Sequence, residues 1–197
     1  NNKLIKFSSD KSKIFNKPIS YLGTINLDPF YFKADIEIAE WNWSKIISNN
    51  FIISALSGND YLIHSNLNSR ILLNINSFAK DNLFESGNIF IETENGIIKF
   101  DNSNLKFKDF GNVNFDNSKI YYSKGSTFFK SNITINITKQ KKFYNIFQVT
   151  RKYRKNIKKI SFNLELDLTS NTAIASKIMI DSDKRDDDFS DRINLIL

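Results

Sequence analysis

The sequence predicts a mainly β protein: a curved, antiparallel, amphipathic sheet, groove-like in shape, with two short helical inserts. The first observation is alternation, since every second residue is apolar in Phe30–Ile38 and again in Ile160–Leu168. A period of two places these side chains on one face of a pleated strand. The second observation is that about ten such segments follow one another with short turns, which is typical of antiparallel meanders. Helical patterns are too few for a βαβ array.

The amino-terminal elements are predicted to form a hairpin. A short strand is expected over Lys3–Phe7, followed by a polar connector over Ser8–Lys17. Apolar residues then alternate through Ile19–Leu27. Asp28-Pro29 ends that strand, because proline fixes φ and removes a ladder donor. Phe30–Ile38 is therefore expected to return as the second strand of the hairpin.

Two segments break the period of two and predict the helical inserts. Apolar spacings of three and four follow Trp41 and Trp43 as far as Leu56, and Ser57–Asp60 is expected to end that helix. The two tryptophans are expected to pack the helix on the sheet, with an interfacial anchor as the alternative. Gln140–Asn156 is predicted as an amphipathic helix.

Strands are expected to fill the rest of the chain. Asn95-Gly96 is predicted to be a tight turn between two of them, because Asn-Gly tolerates positive φ. The remaining strands are predicted at Ile71–Asn76, Asn88–Thr93, Ile97–Phe100, Leu105–Phe110, Val113–Phe115, Lys119–Ser123, Phe129–Ile137, Ile160–Leu168 and Ala173–Ile180. Residues 1–197 are interpreted as one β-rich segment of a longer protein, with an acidic, flexible tail over 181–197.

Composition excludes several classes of site. The chain has no cysteine, so disulfides, thiolate metal sites and cysteine nucleophiles are excluded. Its one histidine, His64, has no second member for a triad, and no Gly-x-Ser-x-Gly or phosphate-loop motif occurs. Asp181 and Asp183 only faintly resemble a calcium loop, because Asp186 stands where that loop needs glycine. We therefore expect no enzyme activity, no catalytic residue, no metal and no cofactor.

No run of residues is apolar and long enough to span a bilayer, and no signal peptide is seen.

The positive charge is concentrated in one segment. The net charge is +7, and Lys139–Lys159 contains nine Lys and Arg residues without an acid, so the rest of the chain totals about −2. A solvated helix face is the first interpretation of this segment. Attraction to an anionic membrane surface, aided by Phe143, Tyr144 and Phe147, is the second. Nucleic acid is the third and is not expected as a partner, because no stacking platform accompanies the basic residues.

Four segments, in this order, carry a family resemblance. They are the hairpin Ile19–Phe32, the aromatic helix start Glu40–Trp43, the run Phe143–Gln148 and the basic run Arg151–Ile160. In the kind and order of these elements, the chain resembles the C-terminal region of AsmA-like proteins of alphaproteobacterial type. Those proteins are related to TamB, YhdP and bridge-like lipid-transfer proteins. The resemblance implies a periplasmic β-groove for phospholipid transfer or outer-membrane homeostasis. It also implies anchoring to the inner membrane through a segment outside this chain, and it carries no catalytic residues.

The candidate groove lining consists of apolar positions that share strand faces. Burying an acyl chain is worth about 0.8 kcal/mol per CH₂, so a greasy trough can hold phospholipid, or another acyl-chain lipid, without a polar pocket. The predicted lining residues are Phe30, Phe32, Ile36, Ile38, Ile71, Leu73, Ile75, Ile133, Ile135, Ile137, Phe162, Leu164 and Leu166. The alternative is a structural or adhesive β-module with a closed apolar core, because the same alternation builds any β-sandwich.

Overall fold

A computed structural model describes residues 4–42, 66–80, 83–170, 172–181, 183–184 and 192–194. The described chain is mainly β, as predicted, and its strands form one sheet. The strands are β1 (Leu4–Ile14), β2 (Lys17–Leu27), β3 (Phe30–Ile38), β4 (Ser69–Ile75), β5 (Phe84–Glu94), β6 (Ile97–Lys99), β7 (Ser103–Phe107), β8 (Gly111–Ser123), β9 (Ser126–Ile137), β10 (Lys159–Asp167), β11 (Thr172–Ile180), β12 (Asp183–Lys184) and β13 (Arg192–Asn194). A helix, α1, covers Gln140–Ile146, and a 3-10 turn covers Arg151–Tyr153.

The sheet is mostly antiparallel and follows the chain order. Its strands run β1-β2-β3-β4-β5-β6-β8-β9-β10-β11-β12, with β13 also paired to β11. One pair departs from the predicted antiparallel pattern, because β3 and β4 lie parallel, with Phe32 opposite Ser69 and Ile38 opposite Ile75. The sheet is therefore mixed, and the parallel pair joins an amino-terminal meander to a longer carboxy-terminal one.

Strands β6 and β7 are two halves of one broken strand. Both lie between β5 and β8, β6 beside the end of β5 at Glu94 and β7 beside its beginning at Phe84. Asn102 lies in the break, and Asn117 lies at the neighbouring bulge of β8; both have positive φ, 64° and 49°. Asparagine tolerates this conformation better than most residues. The break and the bulge therefore fall side by side in adjacent strands.

The pairing register places most apolar side chains of the strands on one face, which we call the apolar face. Leu22, Leu72 and Phe90 lie on the other face, in register with Asp35. Directly paired residues share a face, so a row can be followed from strand to strand. One row runs through Ile19, Ile38, Ile75, Gly87, Leu105, Val113, Ile135, Ile160 and Ile180. The adjacent row on the other face runs through Glu37, Asn74, Asn88, Asn104, Asn114, Thr134 and Ser161. The sheet is thus amphipathic over nearly its whole width.

An aromatic cluster fills the core at one end of the apolar face. Phe110 is fully buried and stacks on Phe107, with ring centroids 4.2 Å apart. Phe143 of α1 meets the Phe110 ring edge-on at 5.5 Å. The helix therefore covers this end of the sheet, where Ile38, Ile75 and Ile137 are also buried.

Several predicted elements were wrong in extent. The polar connector over Ser8–Lys17 does not exist as such, because β1 continues to Ile14. Its polar residues are accommodated by a bulge between Ser9 and Ser12, where the Ser9 hydroxyl accepts a hydrogen bond from the backbone N–H of Lys11. The predicted strands Val113–Phe115 and Lys119–Ser123 are one strand, β8, interrupted only by its bulge.

The helix predicted over Gln140–Asn156 was also too long. It ends at Ile146, because Gln148 has a positive φ of 51° and the backbone N–H of Val149 turns back to the carbonyl of Tyr144. Trp41 makes a β-bridge with Phe78, while the rest of the first predicted helix, residues 43–60, lies outside the described residues. Most of the predicted acidic tail also lies outside them, although β12 and β13 add two short strands to the sheet there.

Candidate functional site

The structure brings the thirteen predicted lining residues together on the apolar face. In the amino-terminal half, Ile36 lies opposite Leu73 and Ile38 lies opposite Ile75. In the carboxy-terminal half, Ile133 lies opposite Phe162. Strands β5, β7 and β8 join the two halves through the row of paired apolar residues described above. Residues from four separate stretches of sequence therefore contribute to one continuous surface.

Four of the predicted lining residues are covered by the protein itself. Ile38, Ile75, Ile133 and Ile137 are buried, and they belong to the same cluster as Phe110. At this end of the sheet, α1 and the aromatic rings already occupy the space in front of the strands. These four residues therefore form part of a closed protein core.

The other nine predicted residues retain accessible surface. Phe30 is 39% exposed, and its neighbours at the same margin, Ile5 and Leu27, are 48% and 45% exposed. The remaining eight are half-buried: Phe32, Ile36, Ile71, Leu73, Ile135, Phe162, Leu164 and Leu166. The apolar face is thus closed at its α1 end and reaches solvent at the β1–β3 margin.

The prediction missed several members of the same face. Phe7, predicted to lie in a short strand, is not among the predicted lining residues, yet its ring stacks on Phe32 with centroids 5.6 Å apart and planes 11° apart. Ile19 and Ile25 of β2 and Ile89 and Ile91 of β5 also lie on it. The period of two within each of these strands is the signal that could have identified them.

Buried polar side chains interrupt the apolar face at its centre. Ser118 lies in the β8 bulge and Ser131 lies opposite it on β9, and their hydroxyl oxygens are 2.5 Å apart. Both serines are fully buried. Because each hydroxyl satisfies the other, the pair lies within the face without an unpaired polar group.

The opposite face of the sheet is mainly polar and carries shallow depressions. One of about 680 Å³ is lined mainly by β1, β2 and β3, and includes Asp10, Asp35 and Glu37. A second of about 490 Å³ lies across β8, β9, β10 and β11 and includes Asp116 and Lys159. In the described part of the chain, no three His, Cys, Asp or Glu side chains approach closely enough to hold a metal ion. Nor does any helix of that part have the length and apolarity needed to cross a membrane.

The apolar face is the most extensive chemical feature of the described structure. Its arrangement suits the binding of long apolar groups, because it presents hydrocarbon side chains over many strands. Comparison of the chain with protein-family models, with curated proteins and with solved structures finds no match to any of them.

Proposed function

We propose that this chain is a non-enzymatic segment of a periplasmic, AsmA-like envelope protein that holds phospholipid acyl chains on its apolar face. The observation that carries the proposal is that the apolar face continues beyond the buried cluster, through Phe32, Ile71 and Leu166, to the exposed Phe30. A closed core needs apolar residues only where another layer covers them. Here α1 and the aromatic cluster cover the end of the face that holds Ile38 and Ile75, while the part beyond that end keeps accessible apolar surface.

The dimensions of the face agree with this use. Eleven strands lie side by side along the main path of the sheet. At a spacing of about 4.8 Å, they span roughly 50 Å. Half of a bilayer's hydrocarbon core is about 15 Å thick, so the face is wide enough for more than one acyl chain. Each buried CH₂ contributes about 0.8 kcal/mol, so contact along the strands provides affinity without a polar pocket.

The cellular role follows from the same proposal. A surface that shields acyl chains from water allows phospholipid to cross an aqueous compartment, as envelope homeostasis requires. On this proposal the parent protein is held at the inner membrane by a segment other than the one described here, and its groove opens along the half-buried part of the apolar face.

Site-specific crosslinking tests the proposal. A photoreactive residue replaces Ile135 or Leu164 on the apolar face, and matched controls replace Asn136 or Glu165 on the polar face. All four positions are half-buried, so accessibility alone does not separate the two sets. We expect phospholipid adducts at Ile135 and Leu164 only, and native mass spectrometry should show lipid bound to the unmodified protein. Equal labelling of both sets would overturn the assignment of the face.

A second candidate function is a structural or adhesive β-module with a closed apolar core. The observation that favours it is the buried cluster of Phe107, Phe110 and Phe143, which has the packing of an ordinary core. This alternative predicts no lipid in native mass spectra. It also predicts that the half-buried positions Leu73 and Phe162 resist labelling by apolar probes.

A further inference from the structure

The segment that follows β9 forms a basic tip, defined here as Lys139–Lys159. It contains α1, the 3-10 turn and the chain that leads into β10. Its nine cations are Lys139, Lys141, Lys142, Arg151, Lys152, Arg154, Lys155, Lys158 and Lys159. All are exposed except Arg154, which is half-buried.

Hydrogen bonds hold the two arms of the basic tip against each other. The Gln140 side-chain amide donates to the Asn156 side-chain oxygen. The Tyr144 hydroxyl donates to the carbonyl of Lys155 and accepts from its backbone N–H. In addition, Arg154 Nε donates to the carbonyl of Val149 at 2.9 Å. Cations that are distant in sequence are thereby fixed on one compact unit.

The basic tip also exposes large apolar side chains. Ile146, Phe147 and Tyr153 are 38%, 50% and 64% exposed. The Phe147 ring packs against the Phe143 ring on one side, with centroids 4.9 Å apart, and the rest of the Phe147 ring is exposed to solvent. Lys152 Nζ lies 4.8 Å from the centroid of the Tyr153 ring. Apolar and cationic groups are therefore adjacent on the same unit.

Little acidic charge neutralises the basic tip within the described residues. Asp109 forms an ion pair with Lys142 at 3.8 Å. Asp181 accepts hydrogen bonds from the backbone N–H groups of Lys158 and Lys159, both at 2.8 Å, rather than from their ammonium groups. Most of the tip's positive charge is therefore available to an external anion.

We propose that the basic tip docks on the surface of a membrane that contains anionic phospholipid. Cations attract the headgroups, at about 1 kcal/mol for each Lys or Arg near the surface. Exposed Phe, Tyr and Ile side chains suit the boundary between headgroups and acyl chains. A nucleic acid would need bases to stack on exposed ring faces, whereas Ile146 is aliphatic, Phe147 packs against Phe143, and Lys152 Nζ lies over the Tyr153 ring. The proposal does not depend on acyl-chain binding by the apolar face.

Vesicle co-sedimentation tests this docking. The purified protein is mixed with vesicles of phosphatidylcholine alone or with about one quarter phosphatidylglycerol. We expect binding only to the anionic vesicles, weakening as salt screens the charges. Charge reversal in K141E/K152E/K155E should weaken it by about 100-fold or more. The matched control K6E/K13E/K33E changes the net charge equally at exposed lysines of β1 and β3 and should retain more binding.

A second measurement separates insertion from long-range attraction. In the F147W variant, the extra tryptophan emission should shift to the blue when anionic vesicles are added, because the side chain enters the interface. Any one of three results would overturn the proposal. The two triple variants could lose binding equally, the protein could bind both kinds of vesicle equally, or the basic tip could bind RNA in place of vesicles. Crosslinking at Ile135 reports separately on the apolar face, so failure of one proposal is distinguishable from failure of the other.

Discussion

Ser118 and Ser131 share a buried hydrogen bond across the β8–β9 pair, with hydroxyl oxygens 2.5 Å apart. Ser118 lies in the bulge, where its backbone N–H also donates to Asp101 Oδ1 at 2.7 Å. Asp101 precedes Asn102 in the break between β6 and β7. One small polar network therefore connects three neighbouring strand positions at the point where their regular pairing is interrupted.

Substitution at the serine pair should reveal coupling between the two residues. Ser131→Ala should lower the free energy of unfolding by about 1 kcal/mol, because the Ser118 hydroxyl still reaches the Asp116 carbonyl at 3.3 Å. Ser118→Ala should cost more, about 1 to 3 kcal/mol, since it removes the buried partner of Ser131. Urea denaturation of both single variants and the double variant measures the coupling. Strict additivity would contradict a direct bond.

Phe110→Ala should be among the most damaging single substitutions. Its ring is fully buried and contacts Phe107, Phe143 and Phe147. Removing a buried Phe side chain costs about 3 to 5 kcal/mol. Tyr122→Ala is the matched aromatic control, because Tyr122 is exposed and should change stability by about 0.5 kcal/mol or less. Thermal unfolding followed by circular dichroism compares the variants, and similar midpoints would contradict the described core.

Gly23→Ala should disturb the attachment of β1 to the sheet. An added Cβ would lie 2.3 Å from Phe7 Cζ and 2.4 Å from the backbone oxygen of Lys33. Phe7 would have to leave its stack on Phe32, at a cost of about 1 to 3 kcal/mol for overpacking. Hydrogen exchange should become faster in β1 and stay unchanged in β9. Ser8→Ala on the exposed face of β1 is the control, and similar exchange in the two variants would contradict the close approach.

Acid should weaken the turn between β10 and β11 through Asp167. Desolvation of the Asp167 carboxyl acts to raise its pKa, but hydrogen bonds from Ser170, Thr169 and Ser126 outweigh it and hold the pKa below the ordinary 3.8. A pKa lowered in the folded state gives stability that is present above the unfolded pKa and lost as pH falls through the folded pKa. Below about pH 3.8, the wild type should therefore lose more stability than D167N.

D167N keeps the geometry of this turn while removing its titration. The asparagine oxygen can still accept from the backbone N–H groups of Thr169 and Ser170, which lie 2.9 and 3.1 Å from Asp167 Oδ1. Urea midpoints at pH 5 and pH 3 provide the comparison. A parallel decline of the two proteins would show that Asp167 does not contribute to the acid sensitivity.

Much of the sheet could be predicted because alternation is a local signal. Phe30–Ile38 is found with its predicted bounds, and the Asn95-Gly96 turn has positive φ at both residues, 51° and 73°. Alternation also assigned the thirteen candidate residues to strand faces. It could not show that these faces coincide, because that depends on the register between strands.

The errors arose where distant contacts override the local pattern. Residues 8–13 are polar, yet β2 provides them with a pairing partner, so they form a strand. The parallel β3–β4 pair joins segments that are far apart in sequence, and no turn motif indicates it. The burial of Ile38 and Ile75 depends on α1 and the aromatic cluster, which a single strand's pattern cannot reveal.

The parallel β3–β4 pair has a consequence for folding kinetics. Most antiparallel neighbours on either side are joined by short turns, the exception being β9 and β10 with the basic tip between them, and hairpins with short turns form in about 1 to 10 μs. Pairing β3 with β4 requires closure of the long connection, residues 39–68, before any ladder bond between them is gained. We therefore expect the two meanders to order early and to join last, with this junction as the slowest step in assembling a single sheet.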